Sequence, residues 1–181
     1  SSKMDGHHCA IFPANGANTP VEIFESDTPL IIEERSLICD SGGGGKMRGG
    51  LGRKMVVRIP DDELAPEGPT SIAVQAGRYK YAPRGLFGAE PGALARFLVN
   101  GQSGDPSGLT LCQNGDEIQF YSAGGGGYGD PLQRDPEAVE ADVRNGYVSI
   151  ERARESYGVV IDPESLAVDK AATEQLRSDR K

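Results

Sequence analysis

Apolar and polar residues alternate along several short stretches between residues 20 and 122, as expected for strands with one buried face. Residues 116–122 show the pattern clearly, because Ile118 and Phe120 fall on the same side. The same pattern predicts strands at 21–27, 29–38, 53–59, 70–77, 94–100 and 109–112. The Asn-Gly pair within residues 113–116 predicts a tight turn that joins the last two strands as a hairpin.

The hydrophobic spacing becomes helical after residue 131. Asp135 and Pro136 form an N-cap followed by a proline in the first helical position, and Val139 and Val143 then lie four residues apart. Gly146 ends this helix. Ser149 caps a second short helix, which Gly158 ends. Asp169 caps a last helix, predicted over 170–178.

Short strands followed by short helices predict a mainly β fold with an α appendage, of the α+β class. A β-sandwich or a distorted barrel accommodates this many short strands. We place a β-rich domain with glycine loops at residues 1–130 and a C-terminal helical appendage at residues 131–181. A chain of 181 residues is long enough to bury a core without disulfides or metals.

The net charge of −8 argues against nucleic acids and anionic membranes as partners, since both need clustered cations. The sequence shows neither a signal peptide nor a long apolar run. Cys9, Cys39 and Cys112 are widely spaced and form no metal or disulfide pattern, which favours reduced thiols. These features together predict a cytoplasmic protein.

Glycine accounts for 25 of the 181 residues, and one run raises the question of a phosphate site. The run follows a strand and matches the G-x-G-x-x-G pattern of dinucleotide-binding turns. Pro131 and Pro136 interrupt the helix that this motif requires, so we interpret the run as a strand-to-helix turn. Glycines there adopt positive φ and let another backbone approach. This structural turn comprises Gly124, Gly125, Gly126, Gly127 and Gly129.

A second glycine run, residues 40–52, resembles a P-loop only in part. Met47 follows Gly45-Lys46 where the motif needs the hydroxyl that holds magnesium, and Asp40 replaces its first glycine. Two interpretations remain open. The loop packs against another backbone or subunit, or its amides hold a carboxylate or phosphate together with nearby cations. Those cations are Lys46, Arg48 and Arg53.

Spacing alone identifies neither a catalytic set nor a metal site. His7 and His8 are the only histidines, and adjacent side chains seldom converge on one ion. The acidic residues of the 61–67 segment are interpreted as a solvated loop.

Four segments in a fixed order carry a resemblance to a known family. They are NTPVEIFE (18–25), DSGGGGKMRGGLG (40–52), GLFGAEPGA (85–93) and the run from GGGGYGDP to YGVVID (124–162). Together they resemble the C-terminal part of the hydantoinase B/oxoprolinase family over essentially the whole chain. Members of that family are usually several times longer. The resemblance therefore implies a fragment of a larger subunit or a small subunit of a split enzyme.

The resemblance implies an ATP-dependent function. Family members pair with an ATP-binding hydantoinase A partner and open cyclic amides such as 5-oxoproline, whereas relatives carboxylate acetone or acetophenone. We expect this chain to be part of a cyclic-amide hydrolase, inactive alone, that shapes the active-site wall and the subunit interface. A ketone carboxylase subunit and a non-catalytic assembly module are the alternatives. The resemblance places ATP and Mg in the partner subunit, and Zn or Mn in the absent N-terminal portion.

One departure from the family pattern keeps the carboxylase alternative open. Many members resemble His-Met-Thr-Asn-Thr where this chain has FPANG (12–16), so Phe12 stands in place of the histidine while Asn15 fits. If a site lies within this chain, we expect cations of the first glycine loop to stabilise an anion and Asp40 to orient one of them. The residues of this predicted site are Asp40, Lys46, Arg48 and Arg53.

Overall fold

Residues 3–9, 19–74 and 77–180 are described by this computed structural model, and within them lie seven strands and four α-helices. The strands are β1 (Ile31–Leu37), β2 (Arg53–Arg58), β3 (Thr70–Ala73), β4 (Arg96–Val99), β5 (Gln102–Ser103), β6 (Leu109–Cys112) and β7 (Glu117–Tyr121). The helices are α1 (Val21–Asp27), α2 (Pro136–Arg144), α3 (Ile150–Glu155) and α4 (Lys170–Ser178), with a 3-10 helix at Pro131–Gln133. The predicted α+β class is confirmed.

The strands form two antiparallel sheets that share one core. The larger sheet has the order β1-β2-β7-β4-β5, and β3 and β6 form the smaller one. Val57 on β2 lies opposite Ile118 on β7, and both side chains are buried. Cys112 from the smaller sheet packs into the same cluster as these two residues. Two packed sheets agree with the sandwich alternative, and the described strands close into no barrel.

The predicted hairpin between β6 and β7 is wrong. Residues 113–116 do form a tight turn, in which Gly115 has a φ of +87° and the Asp116 amide donates to the Gln113 carbonyl. However, β6 pairs with β3, while β7 pairs with β2 and β4. The turn therefore carries the chain from one sheet to the other. Its Gly115 amide donates to the Ile59 carbonyl at the end of β2, which fixes that crossing.

The strand predicted at 21–27 is also wrong, because this segment is helix α1. Its half-buried side chains are Val21 and Phe24, which lie three residues apart as on one face of a helix. No residue of α1 is fully buried, so its hydrophobic pattern is weak. The alternation of Val21 and Ile23 suggested that both side chains share a buried strand face, but Ile23 is exposed.

The three predicted C-terminal helices are confirmed, and their caps explain where they start. The side chains of Asp135, Ser149 and Asp169 accept hydrogen bonds from the amides of their first turns. These helices surround a second core whose buried members are Val139, Val143, Val148, Ala153, Tyr157, Val159 and Ile161. The division of the chain at residue 130 remains a prediction.

Some sequence expectations fall outside the described residues. These include the FPANG segment with Phe12 and Asn15, the beginning of the 18–25 motif, and the end of the strand predicted at 70–77. Within the described ranges, every helix is too short or too polar to cross a membrane.

Candidate functional site

Three loops that carry the sequence motifs meet at one junction. We call residues 40–52 the first loop, 85–93 the second loop and 124–129 the third loop. The Gly124 amide donates to the Ala93 carbonyl at 3.1 Å, and the Gly125 amide donates to the Gly50 carbonyl at 2.8 Å. The Gly127 amide donates to the carbonyl of Glu90 at 3.1 Å. The third loop is therefore hydrogen-bonded to both of the others through main-chain atoms.

The junction leaves no space for side chains at several glycines. A Cβ atom at Gly124 would collide with the Ser41 carbonyl, and one at Gly126 would collide with the Arg84 carbonyl. Among the glycines of the third loop, only Gly129 has a positive φ, at +74°. The need for glycine here comes mainly from the close approach of other backbones, and a left-handed turn is needed at one position only.

Several amides of the two glycine loops already donate to other groups of the protein. In the first loop, the Gly43 amide donates to Gly125, and the Met47 amide donates to Tyr128. The Arg48 amide donates to the Asp5 carboxylate at 2.7 Å, and the Gly52 amide donates to the Ser41 hydroxyl at 2.9 Å. A phosphate nest needs amides that point at the ligand. The amides named here donate to protein groups instead, so they are not free to hold the phosphates of ATP.

The four residues of the predicted anion site lie in different surroundings. Asp40 has a φ of +60°, and its Oδ1 accepts from the Ser149 amide at 2.9 Å, close to the start of α3. Lys46 is exposed, whereas Arg48 is buried and pairs with Asp142. Arg53 lies at the start of β2, where its amide donates to the Ser122 hydroxyl. Anion binding by these residues remains a prediction.

A buried ion network lies beneath the first loop and was not found from the sequence. Arg134 binds both oxygens of Asp5, at 2.7 and 2.8 Å, and also binds Asp142 at 2.8 Å. Arg48 Nε lies 3.2 Å from the same Asp142 oxygen, as an ion pair without a hydrogen bond. Tyr147 places its ring against the Arg48 guanidinium at 5.3 Å. The network joins the N-terminal segment, the first loop and α2.

The network sets the ionisation of its members. Burial acts to raise the pKa of Asp5, but the hydrogen bonds and charge of Arg134 outweigh it and lower that pKa overall. Burial acts to lower the pKa of Arg134, and the two carboxylates reverse this and raise it. Burial, followed by the charge of Arg48, lowers the pKa of His8. The neutral His8 ring accepts a hydrogen bond at Nδ1 from the Leu51 amide.

A polar cavity of about 540 Å³ opens where the first and second loops meet α3. Glu90 Oε2 accepts hydrogen bonds from Arg152 Nη2 at 2.7 Å and from the Ser156 hydroxyl at 3.1 Å. Asp40 and Glu155 add two further carboxylates to the wall. The cavity presents both acceptors and a guanidinium donor, which suits a small ligand with an N–H and a carbonyl.

One sequence signal could have pointed to the buried ion network. Asp142 lies next to Val143 and three residues after Val139, so a carboxylate interrupts the apolar stripe of α2. Buried carboxylates need a partner, and Arg134 lies 8 residues earlier in the chain. Glu90 and Arg152 gave no comparable signal, because each looks like an ordinary surface charge in its local sequence. Among the described residues, no group of three or more His, Cys, Asp or Glu side chains is arranged to hold a metal ion.

The comparisons with known proteins agree with the motifs that build this junction. The sequence model of the family described as hydantoinase B/oxoprolinase matches residues 1–131. This chain belongs to the hydantoinase B/oxoprolinase family. Caprolactamase subunit beta of Pseudomonas jessenii is 39% identical to it, and the match covers 87% of the present chain and 28% of the caprolactamase subunit. Acetophenone carboxylase delta subunit of Aromatoleum aromaticum is 42% identical over 87% of the chain and 27% of its own length.

The solved structures support the same assignment. A nucleotide-free structure of acetone carboxylase matches 98% of the present chain, with a TM-score of 0.79 and 26% identity. The crystal structure of ATP-dependent caprolactamase from Pseudomonas jessenii covers 89% with a TM-score of 0.69 and 35% identity. In both cases the match extends over 28% of the other chain. The chain thus spans somewhat more than a quarter of the length of the relatives that it matches.

Proposed function

We propose that this chain is part of the B-type component of an ATP-dependent cyclic-amide hydrolase, as a C-terminal portion or as a small subunit. The observation that carries the proposal is the 39% identity with caprolactamase subunit beta, which extends over 87% of the chain. The three loops that build the junction all lie within residues 1–131, which the family model matches.

In this proposal the chain supplies a rigid wall and an interface. Main-chain hydrogen bonds to Gly44 and Gly127 hold Glu90 in place, and the Asp40 amide donates to the Tyr147 carbonyl. A cyclic amide carries an N–H donor beside a carbonyl acceptor, and the Glu90–Arg152 pair offers the complementary acceptor and donor. These residues would orient a ring substrate, and the groups that react with it would come from the rest of the assembly.

ATP and its magnesium belong to a separate, hydantoinase A-like subunit in this proposal. Several amides of both glycine loops, such as those of Gly43, Met47 and Gly127, already donate within the protein, which supports a nucleotide site elsewhere. An assembly that consumes ATP requires a compartment that supplies it, which supports a cytoplasmic location.

A second candidate is a subunit of an ATP-dependent ketone carboxylase. The structural match to acetone carboxylase has the higher TM-score, 0.79 against 0.69 for caprolactamase. The identity to acetophenone carboxylase delta subunit, 42%, is also as high as the identity to caprolactamase subunit beta. Both observations favour a scaffold that serves either reaction.

The test is substrate-dependent ATP hydrolysis by the complete assembly that contains this sequence. Phosphate release is measured with caprolactam, hydantoin or 5-oxoproline, and separately with acetone or acetophenone in the presence and absence of bicarbonate. Stimulation by a cyclic amide without bicarbonate supports the hydrolase, and bicarbonate-dependent stimulation by a ketone supports the carboxylase. An assembly that shows neither would contradict both candidates and favour a non-catalytic module.

Two variants test whether the cavity holds the substrate. Arg152→Gln removes the guanidinium donor, so we expect KM for the stimulating substrate to rise about tenfold, the effect of losing one charged hydrogen bond. Arg154→Gln, on the exposed side of the same helix, is the matched control and should leave KM unchanged. Equal KM values for both variants would place the substrate outside this cavity.

A further inference from the structure

The second loop presents two large apolar side chains to solvent. Phe87 is 75% exposed and Leu86 is 58% exposed. We call residues 85–88 the Phe87 tip. Scattered exposed apolar residues are ordinary, but adjacent ones at the apex of a loop mark interaction surfaces. The backbone of the tip takes part in the junction, but the side chains of Leu86 and Phe87 are exposed rather than buried in it.

The backbone of the Phe87 tip is held rigidly in this outward position. The Leu86 amide donates to the Gly127 carbonyl at 3.0 Å, and the Leu86 carbonyl accepts from the Gly129 amide at 2.9 Å. Phe87 itself has a φ of +57°, a conformation that bulky residues rarely adopt. Its ring contacts the edge of the Tyr128 ring, with centroids 5.1 Å apart. A strained residue held by its surroundings is typical of functional positions.

Two cations flank the Phe87 tip on a protein whose net charge is −8. Arg84 precedes the tip, and the Lys46 amide donates to Gly129, the residue that binds the Leu86 carbonyl. Both side chains belong to exposed residues, and neither forms an ion pair within residues 3–9, 19–74 and 77–180. An apolar centre with a cationic rim complements an apolar pocket with an acidic rim.

We propose that the Phe87 tip docks into such a pocket on the remaining portion of the B-type component. This inference rests on the proposed function. The argument for this occupant is length: the acetone carboxylase match covers 98% of this chain but only 28% of the other, and the caprolactamase match shows the same share. Most of the length of these relatives therefore lies outside the matched portion, which leaves room there for a pocket that receives the tip. A rigid aromatic anchor lowers the entropy cost of such a contact.

The test is site-specific photo-crosslinking in the complete assembly. Benzoylphenylalanine replaces Phe87, and the crosslinked peptide is identified by mass spectrometry. A crosslink to the remaining B-type polypeptide, near acidic side chains, supports the proposal. A crosslink to an ATP-binding subunit or to a second copy of this chain would overturn it, as would the absence of any crosslink. The same substitution at Leu64, which is 67% exposed on another loop, is the control for labelling efficiency.

Variants test the apolar and charged parts of the surface separately. Phe87→Ala should raise the dissociation constant of the assembly, measured by analytical ultracentrifugation, or the rate of limited proteolysis at the contact at least tenfold. Phe87→Leu should change either quantity much less. The double variant Lys46→Glu, Arg84→Glu should raise the same quantity more at low salt than at high salt. A dissociation constant and a proteolysis rate equal to those of the wild type in Phe87→Ala would contradict the proposal. Substrate-dependent ATP hydrolysis is recorded independently, so docking can be confirmed even where the proposed reaction fails.

Discussion

Arg134 is a cation enclosed almost entirely by protein, since only 3% of its surface is exposed. Desolvating a charge costs several kcal/mol, and the arrangement is tolerated because Asp5 and Asp142 surround it with hydrogen-bonding oxygens. Asp5 and Asp142 belong to segments far apart in sequence. The residue therefore serves as a polar cross-link between the two ends of the chain, at a position where an apolar side chain could not join them.

Removing this cation should leave two carboxylates without their main partner. We expect Arg134→Met to lower the free energy of unfolding by about 3–5 kcal/mol, the usual cost of breaking a buried pair. Arg58→Met, which removes an exposed pair with Glu33, is the control and should have little effect. Urea unfolding followed by circular dichroism gives both values. A similar loss in the two variants would mean that the network contributes no more than a surface pair.

The lowered pKa of Asp5 predicts how stability depends on pH. A carboxyl group with a lowered pKa in the folded state stabilises the fold fully above its unfolded value, about 3.9, and this contribution is lost as the pH falls through the lower folded value. We expect the stability difference between wild type and Asp5→Asn to be largest near pH 6 and to shrink below about pH 4. Unfolding free energies from pH 2 to 7 test this. Parallel curves would contradict it.

At the scale of elements, the sequence predicted most strands and the last three helices. β6 and α4 have the predicted bounds, because each combines a clear hydrophobic period with flanking turn or cap residues. α1 was mistaken for a strand because the half-buried pair Val21 and Phe24 is a weak signal. The pairing of β6 with β3 could not be predicted, since a local turn signal says nothing of which strand lies alongside.

The candidate site was harder to predict than the elements. The glycine positions were found, since a run of glycines is visible in any sequence. The partners of those glycines are carbonyl groups, which every residue possesses, so the sequence does not distinguish them. Glu90 and Arg152 meet across 62 positions of the chain, and neither is near the other in any local pattern.

The close backbone contacts of the third loop make a direct prediction. Gly124→Ala places a methyl group against the Ser41 carbonyl, so backbone must shift, and we expect a loss of about 1–3 kcal/mol in unfolding free energy. Gly77→Ala is the control, because no atom lies within 4 Å of its Cβ position and its φ is not positive. Differential scanning calorimetry measures both. A wild-type melting temperature for Gly124→Ala would show that the loops have more room than the structure gives them.

At the scale of the whole molecule, the C-terminal helices are tied to the β-rich part by polar contacts. The Asp40 amide donates to the Tyr147 carbonyl, Arg48 pairs with Asp142, and Arg152 pairs with Glu90. The two apolar cores are distinct, but each of these contacts joins a glycine loop to a helix or to the turn between two helices. We infer that neither part retains its structure once the other is lost.

This coupling predicts a single cooperative unfolding transition. Near-ultraviolet circular dichroism reports the packing of Tyr157 in the helical core and of Tyr121 in the sheet, and far-ultraviolet signal reports the helices. We expect all signals to change at the same denaturant concentration. Two separated transitions would show that residues 1–130 and 131–181 fold as independent units.

The many main-chain hydrogen bonds between the three loops have a consequence for their evolution. Surface loops ordinarily tolerate insertions, because no other segment depends on their length. Here, each loop is in register with two others, so one extra residue would displace every amide beyond it from its carbonyl. A library of single-residue insertions should therefore recover viable variants in the acidic 61–67 segment and almost none within 40–52 or 124–129. The length of these loops is therefore as constrained as the requirement for glycine at particular positions in them.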